Sequence, residues 1–178
     1  IYIIPEAPQR AMDFVRKLSK VYRYILEIRD RRLITIREEL EFLDSFLFLV
    51  KERFGDNIRI KVNVPPEFHS RQILPLSLQM LMENAIKHNV ISQSRPLDIE
   101  IVADDRLLVV RNTYQPKKQV QESTKVGLEN IRHRYAFYTD EEVVIEKTAD
   151  HFLVGLPMLS PTNAMTPVEP KAIAETRG

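Results

Sequence analysis

The N-terminal third of the chain carries a heptad pattern of apolar positions. Two series of apolar residues recur at alternating spacings of three and four, the repeat of helices that pack along one seam. The first series is Ala11, Phe14, Leu18, Val21, Ile25 and Ile28, and the second is Ile36, Leu40, Leu43, Leu47, Val50 and Phe54. Residues 30–35 between them are few, and half of them are charged. We therefore expect two helices that form an antiparallel hairpin.

Each predicted helix also carries a second set of apolar residues outside the heptad seam. These are Val15, Tyr22 and Leu26 on the first helix, and Phe42, Phe46 and Leu49 on the second. A helix that is apolar on more than one side needs a covering on more than one side. The sequence therefore predicts that two chains combine their hairpins into a four-helix bundle, which makes the protein a homodimer.

After Gly55 the apolar period changes from seven to two. Ile58, Ile60, Val62 and Val64 alternate with polar residues, which predicts a half-buried strand that the following Pro-Pro pair ends. A helix with one apolar face follows over residues 76–89. Two β-hairpins are then predicted, one from residues 98–103 and 107–111 and one from residues 143–147 and 152–156. Between them, residues 123–138 have the pattern of a helix.

These elements predict an α+β protein in three parts. A helical hairpin over residues 6–54 forms half of a dimeric four-helix bundle. An α/β sandwich over residues 55–159 contains a mixed sheet of about five strands with helices on one face. Residues 160–178 are rich in Pro and Thr and have no apolar period, so we expect a linker or tail there.

Composition and charge exclude several classes of protein. Among 178 residues, 26 basic side chains face 25 acidic ones, so a net charge of +1 gives no field for nucleic acid, and we expect no nucleic-acid partner. The chain has no cysteine, which excludes disulfides and thiolate metal sites and agrees with a reducing compartment. No apolar run approaches the roughly 20 residues that span a bilayer.

The end of the predicted helix over residues 76–89 is unusually polar. Glu83, Asn84, Lys87, His88 and Asn89 are packed into its last seven positions, and the first four of them fall on one side of the helix. A solvated helix face has the same pattern. However, Asn is a poor helix former, and an Asn inside a helix is better explained by a task for its amide oxygen. The pattern alone leaves both interpretations open.

A resemblance to a known family supports the second interpretation. The string LMENAIKHN resembles the N box of the histidine-kinase, gyrase and Hsp90 ATP-binding superfamily, and PLSLQMLMENAIKHN is similar to that of LytS-type sensor histidine kinases. Further strings agree in the same order, namely FVRKLSKVYRYIL, EELEFLDSFLFLVKERFGDNI, VRNTYQPK, STKVGLENIRHRY and FLVGLPM. The resemblance covers residues 7–159, and the joint occurrence is more specific than any single string.

The resemblance implies that the N-box helix binds ATP and Mg²⁺. Asn84 matches the residue that gives an oxygen to Mg²⁺, and an amide with phosphates and water suits this hard cation. Lys87 is placed to meet phosphate charge, and His88 and Asn89 are expected near the ribose or phosphates. Glu83 matches a carboxylate that polarises or orders water. Glu83 and Lys87 have an alternative explanation, an ion pair one helical turn apart.

The two remaining nucleotide motifs are altered. The family's Asp-x-Gly-x-Gly turn is replaced here by a segment in which Asn112 takes the place of the Asp that accepts a hydrogen bond from adenine. The glycine-rich phosphate loop keeps only Gly127 of its three glycines, followed by Leu128. Lys125 in this loop either blocks the phosphates or replaces backbone donors with a charge. Lys117 and Lys118 either assist it or are solvated loop charges.

By this resemblance the chain is the cytoplasmic catalytic part of an inner-membrane bacterial sensor, a protein-histidine kinase. The intact protein would transfer the γ-phosphoryl group of ATP to a bundle histidine and then to a response regulator, of LytTR type by family resemblance. LytS-type kinases carry that histidine in an HFLFN-like stretch upstream of YRYIL, which this sequence lacks. We therefore expect no autophosphorylation by this fragment, and contact with a membrane only through upstream segments.

Three alternatives stay open at this point. A dimeric scaffold of the same fold that has lost nucleotide binding is favoured by the missing glycines. An ATPase of the same superfamily would hydrolyse the nucleotide instead of transferring phosphate. A coiled-coil interaction protein with a ligand-binding sandwich is the third, although the strands lack the basic and aromatic pattern of nucleic-acid binding.

Overall fold

The computed structural model describes residues 8–28, 30–117 and 124–160. Its elements in chain order are α1 (Pro8–Ile28), β1 (Ile34–Thr35), α2 (Ile36–Phe54), β2 (Ile58–Asn63), β3 (Gln72–Ile73), α3 (Ser77–His88), β4 (Leu97–Ala103), β5 (Leu107–Thr113), α4 (Thr124–Tyr135), β6 (Val144–Lys147) and β7 (His151–Pro157). Helices precede a mixed sheet, which confirms the predicted α+β class.

The first two helices form the antiparallel hairpin that the heptads predicted. Arg10 near the start of α1 donates to Glu52 near the end of α2, with 2.7 Å between Nε and Oε2. At the other end of the hairpin, the rings of Tyr24 and Phe42 stack with their centroids 4.4 Å apart. The residue numbers of these pairs run in opposite directions, as an antiparallel arrangement requires.

The link between the hairpin helices contains a strand that the sequence did not predict. Ile34 and Thr35 form β1, which pairs antiparallel with Gln72 and Ile73 of β3. Thr35 also begins α2 through a capping box, in which its side chain accepts from the backbone of Glu38 while the Glu38 side chain accepts from the backbone of Thr35. A two-residue strand has too few positions to show an apolar period, so only the tertiary structure reveals it.

The five-stranded sheet has the order β2-β4-β5-β7-β6. Strands β2 and β4 are parallel, while the other neighbouring pairs are antiparallel. Both predicted β-hairpins are present. In the turn between β4 and β5, the Asp104 carboxylate accepts from the backbone nitrogens of Arg106 and Leu107 at 2.9 and 2.8 Å. This local capping of the turn by an aspartate explains why the chain reverses there.

Helices α3 and α4 contact each other and lie on one face of this sheet, as predicted. The side of α3 that had been expected to be apolar is buried at Leu78, Leu81, Met82 and Ala85, and α4 buries Leu128, Ile131 and Tyr135. The α4 helix had been predicted to reach residue 138 but ends at Tyr135, followed by turns.

The hydrophobic core runs without interruption from the hairpin into the sheet. One cluster of buried residues joins Ile28, Ile36 and Leu43 of the hairpin region to Leu78 of α3 and Ile99 of β4. The hairpin helix α2 also contacts α3 directly. In the part of the chain that the structure describes, no helix combines the length and apolar character needed to cross a bilayer.

Candidate functional site

A cavity of about 240 Å³ lies between α3, the start of α4 and strands β5 to β7. Its walls are mostly apolar, with a few polar groups that converge on it. The lining residues are Leu81, Asn84, Ala85, His88, Asn89, Val110, Asn112, Tyr114, Pro116, Leu128, Lys147, Phe152 and Val154. This combination is typical of a small-molecule site. Five of the residues chosen from the sequence line it: Asn84, His88, Asn89, Asn112 and Leu128.

Asn84 lies in the middle of α3, half-buried, with its amide under the first turn of α4. A Cβ atom placed on Gly127 would lie 4.0 Å from Asn84 Nδ2, so these two helices approach closely at the amide. Among the described atoms, Nδ2 of Asn84 is buried without a hydrogen-bond partner. A half-turn of the amide exchanges its nitrogen and oxygen. A buried amide without a partner is expensive to keep, which favours a ligand for it.

Asn89, just after α3, has both ends of its amide occupied by the protein. Its Nδ2 donates to the carbonyl of Ala85 at 2.8 Å, and its Oδ1 accepts from the backbone nitrogen of Gln115 at 2.8 Å. The Gln115 side chain in turn donates to the carbonyl of Val90 at 2.6 Å. Asn89 therefore fixes the segment after β5 against the end of α3. Asn89 lines the cavity wall, while its partners give it a structural task.

His88 lines the cavity at the last position of α3. Burial lowers the pKa of its imidazole below the ordinary value of 6.5, and the nearby ammonium groups of Lys87 and Lys117 lower it further. The imidazole is therefore neutral near pH 7. A neutral ring carries one donor and one acceptor and adds no charge.

Asn112 is buried in β5 and presents a defined end of its amide. Its Nδ2 donates to the carbonyl of Thr113 at 2.6 Å, so the oxygen is the end that is left to act as an acceptor. On the sheet, Asn112 pairs with Phe152 of β7, and Phe152 pairs with Lys147 of β6. These three residues therefore form one row across the floor of the cavity.

Glu83 and Lys87 lie on a different wall of α3 from Asn84. They line a second cavity of about 610 Å³ between α2 and α3, together with Lys117. Glu83 accepts a hydrogen bond from the Gln79 side chain at 2.8 Å. The Lys117 ammonium donates to the carbonyls of Ile86 and Lys87 at 3.2 and 2.8 Å. Lys117 therefore caps the C-terminal end of α3, where a cation is favourable.

The altered phosphate loop is described only in part. Leu128 lines the cavity, and Gly127 lies over Asn84. Lys118 and the side chain of Lys125 lie outside the described residues, so the two roles proposed for Lys125 stay predictions.

Among the lining residues that were not chosen from the sequence, three have aromatic or charged side chains: Tyr114, Lys147 and Phe152. The Lys147 ammonium lies 4.5 Å from the centre of the Tyr114 ring, a cation–π contact. Lys147 and Phe152 face each other across the second β-hairpin. The alternation of side chains along β6 and β7 was visible in the sequence. The sequence did not indicate which face of this hairpin would pack towards α3.

Sequence comparisons relate the chain to histidine kinases. A family model described as Histidine kinase matches residues 1–58. Sensor protein kinase HptS of Staphylococcus aureus is 33% identical over 100 residues, which are 56% of this chain and 19% of the relative. An uncharacterized sensor-like histidine kinase of Staphylococcus epidermidis is 32% identical over 100 residues, with the same coverage of 56% and 19%. The chain is thus similar to sensor histidine kinases and spans 19% of the length of the curated relatives it matches.

Solved structures of two kinases superpose on the chain at low sequence identity. The catalytic domain of histidine kinase ThkA covers 71% of this chain and 96% of its own length, with a TM-score of 0.47 and 13% identity. The histidine kinase AdeS of Acinetobacter baumannii covers 81% of this chain and 76% of its own, with a TM-score of 0.45 and 10% identity.

Proposed function

We propose that this chain is the nucleotide-binding catalytic part of a sensor histidine kinase, and that the cavity beside α3 binds ATP. The observation that carries the proposal is the buried Nδ2 of Asn84, which has no hydrogen-bond partner among the described atoms and belongs to a residue on the wall of that cavity. The sequence similarity to sensor histidine kinases supports the same assignment. The subtype proposed from the N-box string is LytS-like.

The residues around the cavity suit the parts of an adenine nucleotide. Asn112 offers an acceptor to an exocyclic amino group, while Tyr114 and Phe152 offer aromatic walls to a base. Asn84, on α3 beside the start of α4, would supply an oxygen to Mg²⁺, an ion that takes few protein ligands and keeps water and phosphate oxygens. When bound, Mg²⁺ would neutralise charge on the transferring phosphoryl group. The start of α4 offers a helix N-terminus to the phosphates.

We assign the phosphoryl acceptor to a bundle histidine that is not one of the four in this chain. His69, His88, His133 and His151 all lie outside the hairpin helices. Incubation of this chain with Mg·ATP should therefore leave no phosphohistidine on it. In the intact kinase the phosphoryl group would pass on to a response regulator, proposed to be of LytTR type. The helical hairpin that carries the acceptor histidine would be part of a four-helix bundle formed by two copies of the protein.

Calorimetry with Mg·ATP tests the nucleotide site. We expect the wild-type chain to bind Mg·ATP and Asn84→Ala to bind it at least tenfold more weakly. Asn63→Ala is the matched control, because it removes the same amide from an exposed position at the end of β2. The control should bind as the wild type does.

The same measurement separates the kinase from the scaffold alternative. A wild-type chain that binds no Mg·ATP, or an Asn84→Ala variant that binds it unchanged, would favour a dimeric scaffold whose cavity has lost its ligand. Phosphate release from bound ATP would instead favour an ATPase.

A further inference from the structure

Helix α3 begins without a cap of its own. Its N-cap residue is Leu76, which has a positive φ of 62° and no side-chain cap hydrogen bond. The next hydroxyl along the chain, that of Ser77, donates to the carbonyl of Leu74 at 2.7 Å. The first turn of any helix exposes backbone N–H groups that need acceptors. In α3 those acceptors must come from another part of the fold.

The cap is the carboxylate of Glu39, which belongs to the hairpin helix α2. Oε2 accepts from the backbone nitrogen of Leu76 at 3.1 Å, and Oε1 accepts from that of Leu78 at 2.9 Å. Glu39 precedes these residues by 37 and 39 positions. Both of its oxygens therefore face the start of a helix that lies in the other predicted domain.

Glu39 is fully enclosed, with 0% of its surface exposed. Burial raises the pKa of its carboxyl to about 7, although the N–H groups of α3 oppose that rise. A buried carboxylate destabilises a fold unless its hydrogen bonds compensate. A residue of this kind persists where its contacts serve a purpose that a well-packed apolar side chain would not serve.

The helix that Glu39 holds is the one that presents Asn84. Six positions separate Leu78 from Asn84 along α3, a distance of about 9 Å in a continuous helix. Because a helix of this length moves as a rigid rod, the placement of its first turn fixes the placement of Asn84. The hairpin therefore contacts, through the Glu39 side chain, the helix that forms one wall of the cavity.

We propose that Glu39 is a positioning residue of the nucleotide site, which links the hairpin helix α2 to the Asn84 amide by capping α3. This inference rests on the proposed nucleotide site. Displacement of α2 relative to α3 breaks the two hydrogen bonds and loosens the first turn of α3. Nucleotide affinity then depends on the position of the hairpin, although none of the hairpin residues that the structure describes lines the cavity.

Glu39→Gln tests the proposal, because it keeps the shape of the side chain and exchanges one acceptor oxygen for an NH₂ group. The matched control is Glu38→Gln, a neighbouring glutamate that caps α2 instead of α3. Two quantities are measured on each chain: the hydrogen-exchange rates of the first-turn amides of α3 and the Kd of Mg·ATP. Should Glu39→Gln fail to fold, Glu39→Asp retains the charge on a shorter side chain and takes its place.

We expect Glu39→Gln to exchange the amides of α3 at least tenfold faster than the wild type and to raise the Kd of Mg·ATP about fivefold or more. Glu38→Gln should change neither quantity. Wild-type affinity in a folded Glu39→Gln chain overturns the positioning role and leaves the nucleotide site standing. A wild-type chain that binds no nucleotide overturns the proposed function and the positioning role together.

Discussion

The ammonium of Lys147 lies 4.5 Å from the centre of the Tyr114 ring, and both residues line the cavity beside α3. They come from β6 and from the segment after β5, so the contact closes one side of the cavity by joining two parts of the sheet. Lys147 also belongs to the row that contains Phe152 and Asn112. We therefore place Lys147 at the end of the cavity where we propose that the base binds.

Lys147→Met should weaken the binding of ATP and the binding of ADP by the same factor. The contact that holds the Tyr114 ring on the cavity wall contributes about 0.5–2 kcal/mol, and we expect that loss of this ordering raises the Kd of each nucleotide by up to roughly fivefold. Lys61→Met is the control, because Lys61 is exposed on β2 and does not line this cavity. Isothermal calorimetry measures all three chains. A much larger loss for ATP than for ADP would place the ammonium at the phosphates and refute this assignment.

Asn112 should make the site prefer ATP to GTP. Its Nδ2 is held by the carbonyl of Thr113, so the amide oxygen is left as an acceptor for the proposed base. Adenine presents an amino donor at the position where guanine presents an oxygen acceptor. Competition binding should show this preference in the wild type and its loss in Asn112→Leu. Asn112→Asp, which keeps an acceptor, should retain the preference, and equal affinity of the wild type for ATP and GTP would contradict the account.

The carboxyl of Glu39 should make stability depend on pH. Its pKa in the folded chain is about 7, above the ordinary value of 4.5, because burial favours the protonated form. The stability that it contributes is therefore fully present below about pH 4.5 and is lost as the pH rises through about 7. Burial also raises the pKa of the neighbouring Tyr24 and Tyr135, which keeps both hydroxyls protonated in this window.

Urea unfolding of the wild type and of Glu39→Gln across this window measures the effect. The free energy of unfolding of the wild type should fall by about 3 kcal/mol relative to the variant, since one pKa unit corresponds to about 1.4 kcal/mol. Other titrating groups, such as His88, are common to both chains and cancel in the difference. Parallel pH profiles of the two chains would show that Glu39 does not titrate there.

The exposed apolar stripe of α1 should hold the dimer together. Met12, Val15, Tyr22 and Leu26 are 54%, 61%, 63% and 73% exposed, and they follow the spacing of a heptad seam. Leu26→Glu should shift the mass measured by light scattering towards the 20.8 kDa of one chain. Lys20→Glu, an exposed change on another side of α1, should leave the dimer intact. A wild-type chain that stays monomeric at high concentration would contradict the bundle.

The fold was largely predictable because each element carries its own apolar period. The heptad repeats predicted the hairpin, and the alternation of apolar and polar residues predicted β2. The apolar side of α3 was placed correctly at Leu78 and Met82. Glu39 shows the limit of this reasoning. In the sequence Glu39 is one acidic residue among other charged residues of a helix. Its burial results from packing against α3, which lies in another part of the chain, so the local sequence pattern does not predict it.

The candidate site was predictable where a motif carried it. The family resemblance indicated Asn84, His88 and Asn112 as site residues, and in the structure all three line one cavity. Glu83 and Lys87 came from the same motif but face a second cavity beside α2. Adjacent helix positions differ by about 100°, so Glu83 and Asn84 point to different walls. Their assigned roles stay predictions.

A structure of the chain with Mg²⁺ and a non-hydrolysable ATP analogue tests the central claim most directly. We expect the base beside Asn112 and the Asn84 amide oxygen about 2.0–2.1 Å from Mg²⁺, the distance that this ion requires. A nucleotide bound elsewhere, or a metal ion that the Asn84 amide does not reach, would contradict it.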